Sequence, residues 1–85
     1  VARKLMMFSI FDRKLREYGA PLVQRNEESM CRELRSMKGS LGMMDKYPED
    51  FDLHVIGEYD AETGRVDVTD GRLLDNVRDI LSQEE

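Results

Sequence analysis

Eighty-five residues with 40% hydrophobic and 36% charged content describe one small domain, 1–85, too short for two. No apolar run nears the roughly 20 residues of a membrane-spanning helix, and a single cysteine, Cys31, excludes an intramolecular disulfide and fits a reducing cytoplasm. The net charge of −5 is uneven: residues 1–44 carry nine Lys/Arg and five Asp/Glu (+4), residues 45–85 four and thirteen (−9), which suits either two different partners or a solubilising surface.

Residues Lys4 to Asp12 read as a first strand that is apolar on both faces, with Leu5, Met7 and Phe11 on one and Met6, Phe8 and Ile10 on the other. The polar Asp12-Arg13 that follows, and Ser9 within, argue against a secretory signal. Residues 13–25 read as a loop, basic at its start, with a turn at Tyr18-Gly19-Ala20-Pro21 and an extended Leu22-Val23. Residues 26–38 read as a helix. Asn26 is its N-cap, Glu27 and Glu28 complement the dipole, and Met30, Leu34 and Met37 form its stripe before Gly39-Ser40 ends it. Pro48 can start a single turn over 48–50.

Residues 51–70 read as a β-hairpin. Phe51, Leu53, Val55 and Tyr59 alternate with Asp52, His54, Glu58 and Asp60, and Ile56 breaks the pattern. Asp60 can accept backbone N–H groups as the turn starts, and Gly64 can take a positive φ. The return strand is expected to face Val66 and Val68 inward. A last helix is expected from Asp70 or Gly71, burying Leu73, Leu74, Val77, Ile80 and Leu81, with the tail 82–85 frayed.

These elements predict an α+β domain of order β-α-β-β-α: a three-stranded sheet with two helices packed on one face, and the first strand parallel to the second through a right-handed crossover. The first strand would then be an apolar edge. Either a homodimer covers it through Met6, Phe8 and Ile10, or the 13–25 loop or a helix covers it from within the chain.

Residues able to carry chemistry are scarce. There is no glycine-rich phosphate loop, no paired cysteines and no metal-binding histidine pair. His54 is expected at the surface, and Cys31 as a half-buried structural thiol. The Asp60-x-Glu62 turn with Gly64 and Asp67 does not have EF-hand spacing. No catalytic residue, metal or cofactor is expected, so the chain does not read as an enzyme. The methionines suit a core or an adaptable binding surface. Arg13, Lys14, Arg16, Arg25, Arg32, Arg35 and Lys38 are the candidate phosphate contacts, with a solvated helix face as the alternative.

Several stretches nevertheless resemble one family: Phe8-Ser9-Ile10-Phe11-Asp12-Arg13-Lys14, Tyr18-Gly19-Ala20-Pro21-Leu22, Lys46-Tyr47-Pro48-Glu49-Asp50-Phe51-Asp52-Leu53 and Ile56-Gly57-Glu58-Tyr59-Asp60-Ala61-Glu62-Thr63-Gly64-Arg65-Val66. They are similar to the small non-structural protein of gokushoviruses, single-stranded DNA phages of the Microviridae. The first helix departs from that family, having Met30, Cys31 and Leu34 where small and aromatic residues are common. The resemblance implies a role in the host bacterial cytoplasm, binding single-stranded DNA or the phage replication proteins during genome synthesis and packaging. The alternative is an adaptor that engages a host protein or the capsid. It would use the acidic hairpin face (Asp52, Glu58, Asp60, Asp67) or the edge of the first strand.

Overall fold

In the computed structural model, which describes residues 3–83 and Asp70 by its backbone alone, strand β1 (Lys4–Asp12) lies inside the sheet. On one side it pairs with β4 (Phe51–Asp60), which pairs in turn with β5 (Val66–Asn76). On the other side two short strands, β2 (Glu17–Tyr18) and β3 (Leu22–Gln24), share its edge. The expected three-stranded sheet is therefore five-stranded, and β1 is central. The 13–25 segment covers the edge from within, so the bare edge that pointed to a homodimer does not exist. Phe8 is fully buried, and Met6 and Ile10 pack on the same core.

All of the pairing is antiparallel, including β1 with β4, where a parallel pair was expected. The reason is the returning segment. Because β2 and β3 reverse the chain before the first helix, it enters β4 beside the end of β1, with Phe51 opposite Asp12 and Arg13 N donating to the Asp50 carbonyl at 2.9 Å. Asp12 starts this reversal. Its Oδ1 accepts from Lys14 N at 2.9 Å and Leu15 N at 3.2 Å, and Arg16 takes a left-handed φ of 56° to close it.

Helix α1 (Glu27–Ser36) has its expected cap, Asn26 accepting from Ser29 N at 2.8 Å. After it, the Asp45 carboxylate accepts from Gly39 N and Leu41 N and fastens the link to the short helix α2 (Met43–Lys46). A 3₁₀ turn, Pro48–Asp50, leads into β4. The last helix is shorter than expected. Residues 71–76 continue β5, and α3 covers only Val77–Ser82, capped by Asn76 accepting from Arg78 N at 3.0 Å. Leu73 and Leu74 are strand residues because His54 pairs with Leu73 and Leu53 with Asp75. Of the tail, Ser82 closes α3, and Glu84 and Glu85 lie outside the described residues.

The helices lie on one face of the sheet, and the core lies between them: Phe8, Leu53 and Val55 from the strands, Met30 and Leu34 from α1, and Val77, Ile80 and Leu81 from α3. The hairpin turn forms as expected. Asp60 Oδ1 accepts from Glu62 N at 2.9 Å, Gly64 N donates to the Asp60 carbonyl at 2.7 Å, and Gly64 sits at φ 80°.

One expectation about faces fails. Met7 pairs with Gly57 and Phe8 with Val55, which leaves Ile56 as an extra residue in β4. The bulge inverts the alternation. Phe51, Leu53 and Val55 face the helices, whereas Tyr59 lies opposite Leu5 and Val66 on the outer face. Val66 and Val68 therefore point out of the sheet, Val68 at 85% exposure, rather than inward. Gly57 allows the close approach that follows, since a Cβ there would lie 2.6 Å from the Asp67 carbonyl oxygen. Gly57→Ala is expected to cost about 1–3 kcal/mol in urea unfolding, because backbone cannot swing aside. Gly19→Ala, with its nearest neighbour at 3.6 Å, should stay within about 0.5 kcal/mol.

Candidate nucleic-acid interface on the outer sheet face

The face of the sheet away from the helices is apolar and aromatic. Strand alternation and register place Leu5, Met7 and Phe11 of β1, Tyr18 of β2, His54 and Tyr59 of β4 and Val66, Val68 and Leu73 of β5 on it. At the β1–β2 end three rings meet. Phe11 and Tyr18 lie 4.9 Å apart between centroids, and His54 stands edge-on to Tyr18 at 5.3 Å. Tyr18 is the exposed member at 53%, and the others are half-buried. His54 is thus no ordinary surface residue: its Nδ1 is buried without a hydrogen-bond partner.

Next to the rings, the Arg13 guanidinium forms a two-pronged ion pair with Asp52, Nε to Oδ2 at 2.7 Å and Nη2 to Oδ1 at 2.9 Å. Asn76 Nδ2 donates to the same Oδ1 at 2.9 Å. Burial pushes the Asp52 carboxyl up, but the bonds from Arg13 and Asn76 and the nearby positive charge outweigh it and hold the group below its ordinary value. Asp52 stays ionised and neutralised, which removes a repulsive charge from this face.

The seven candidate basic residues fall on separate elements. Arg13, Lys14 and Arg16 form the β1–β2 turn beside the aromatic cluster, and Arg25 precedes α1. Arg32, Arg35 and Lys38 belong to α1 and the turn after it, on the helix side. Arg35 Nη1 donates to Gln83 Oε1 at 3.1 Å and Lys38 Nζ to the Leu81 carbonyl at 3.3 Å. Arg13 is engaged by Asp52, which leaves Lys14 and Arg16 exposed next to Tyr18 and in no ion pair among the described residues.

The acidic hairpin face does not form as one surface. Asp52 and Asp60 are buried and bonded within the chain, and Asp67 pairs with Arg65 at 3.0 Å and Lys4 at 3.8 Å. Hydrogen bonds from Glu62 and Thr63 backbone hold the Asp60 carboxyl below its ordinary value despite burial. Burial pushes the Cys31 thiol up, which keeps it protonated and a poor nucleophile. Among the described residues no group of His, Cys, Asp or Glu is placed to hold a metal ion, and no helix is long and apolar enough to cross a membrane.

Reading the residues alone did not bring Phe11, Tyr18 and His54 together. The signal was there in Asp12, an acceptor suited to starting a turn, with an aromatic residue on either side of the 12–17 stretch.

The family model described as "Phage ORF5 protein" matches residues 5–80. The chain is 35% identical over 66 residues to "Protein ORF5" of Chlamydia phage 1, covering 72% of this chain and 69% of that protein. No solved structure matches.

The Asp52 pair makes a test of its own. Its contribution to stability is complete above the ordinary carboxylate pKa of 3.8 and is lost as pH falls through the lowered folded value. Arg13→Ala should lower Tm at neutral pH. The gap in Tm between the two proteins should close on acidification below the ordinary value; a gap that stays constant with pH would place the pair outside the stability account.

Proposed function

Because the chain belongs to the phage ORF5 protein family, a small non-structural protein of gokushovirus-type Microviridae, we propose that it is a non-enzymatic accessory protein that binds single-stranded DNA through its outer sheet face. The observation that carries this reading is the exposed Tyr18 ring, backed by Phe11 and His54, with Lys14 and Arg16 beside it. An unpaired base has an apolar π-face and an adjoining phosphate. A ring on a sheet takes the first and a lysine or arginine one turn away takes the second. The Arg13–Asp52 pair supports the reading by neutralising the carboxylate that lies beside Phe11 and His54 on this face. Such a protein would act in the host cell, on the single strand that is synthesised and packaged.

The other end of the same face supports a second reading. Val66, Val68 and Leu73 are exposed beside Tyr59 and Met7, and two such faces stacked together would give a homodimer. The solution mass with and without oligonucleotide separates the two readings. A monomer that gains mass with DNA supports the first, and a dimer unchanged by DNA supports the second.

Fluorescence anisotropy with labelled oligothymidylate tests the DNA site directly. Binding at about 50 mM salt should weaken steeply by about 200 mM. Tyr18→Ala should cost about 1–3 kcal/mol of affinity. The double substitution Lys14→Glu and Arg16→Glu should flatten the log–log salt slope by about 1.4. Absence of binding at the lower salt would overturn the reading.

A further inference from the structure

The helix side of the sheet carries a second surface, which shares Tyr18 with the first but is argued from other residues. Between β1–β3 and the helices α1 and α2 lies an open cleft of about 570 Å³, within the range of pockets that hold drug-sized or peptide anchors. Its walls are Ile10, Leu22, Phe51 and three methionines, Met30, Met37 and Met44. Leu15, in the β1–β2 turn, stands at its edge with 68% exposure. Three unbranched, polarizable side chains along one wall suit an occupant whose apolar groups the cleft must adapt to.

The charges around the cleft are one-sided. Although residues 1–44 balance to +4, each charged residue lining the cleft is acidic: Asp12, Glu17 and Glu33. Three cations of the same elements are directed elsewhere. Arg13 reaches across the sheet to Asp52, and Arg35 and Lys38 bond to α3 and the residue after it. An apolar floor with a negative rim is complementary to an apolar segment bearing positive charge, and it repels an acidic one.

We propose that this cleft docks a basic amphipathic segment of another protein, with large apolar side chains against the methionines and Lys or Arg against Asp12, Glu17 and Glu33. This is the helix-in-groove mode of recognition, in which apolar anchors give affinity and flanking charge selects the partner. It gives the chain a protein-binding surface on the helix side of the sheet, which borders the aromatic cluster at Tyr18, a residue that lines the cleft as well.

The probes are an amphipathic helical peptide of leucine and lysine and its leucine–glutamate counterpart, followed by methionine methyl NMR on the intact chain. The leucine–lysine peptide should shift Met30, Met37 and Met44 and leave Met7, on the outer face, unmoved. The leucine–glutamate peptide should bind at least about tenfold more weakly. Glu17→Lys with Glu33→Lys should lower affinity for the leucine–lysine peptide about tenfold, while Glu62→Lys, exposed in the hairpin turn, should leave it unchanged. Equal binding of the two peptides, an equal loss in Glu62→Lys, or shifts confined to Met7 would overturn the proposal, since each would mean that net charge or the other face accounts for binding.

Discussion

The extra residue in β4 decides which side chains meet. Without the bulge, with Ile56 paired in regular alternation, β4 would place Tyr59 on the helix side with Leu53 and Val55, and Val66 and Val68 would follow it. With it, the first half of β4 supplies the core and the second half supplies the outer face. The helices can cover only the first half, because α1 and α3 are short, at 10 and 6 residues. The far end of the helix-side face is accordingly polar, with Lys4, Glu58, Asp60 and Asp67. The apolar residues displaced by the bulge collect on the other face, where no element of the described residues packs on them. A register shift of one residue thus converts core-forming sequence into an exposed surface.

The bulge also explains where reading the sequence succeeded and where it did not. The Asn26 cap, the Asp60–Gly64 turn and the Met30/Leu34 stripe are local devices whose partners lie within four residues, and all three form as their chemistry requires. The exception at Ile56 was visible as a break in alternation, but a break does not say whether the strand ends, bends or gains a residue; that depends on the partner strand. The same holds for 71–76. Leu73 and Leu74 with Val77 fit a helical stripe, yet Asn76 caps a helix more favourably than Gly71, and β4 offers unpaired backbone to the residues before it. The short strands β2 and β3, of two and three residues, carry no period at all. The central position of β1 was hidden for that reason, and so was the aromatic cluster, which needs Tyr18 brought back beside Phe11.

Both candidate surfaces meet at one turn. Residues 13–16 are held by the Asp12 carboxylate and carbonyl, and alternate side chains leave the turn in different directions. Arg13 crosses the outer face to Asp52, while Leu15 stands at the edge of the methionine-lined cleft. Asp12 itself lines that cleft while capping the turn that presents Lys14 and Arg16 next to Tyr18. The turn is therefore a physical link between a face that suits nucleic acid and a face that suits a basic protein segment. Three cationic groups and one apolar group are held within four residues by the carboxylate and carbonyl of one aspartate. A change that loosened Asp12 would disturb both surfaces at once, as would one at Tyr18, whereas changes at His54 or Glu33 would each reach only one. For so small a chain this arrangement is economical in residues: a central strand whose edge is covered by its own returning segment leaves that segment free to border two surfaces.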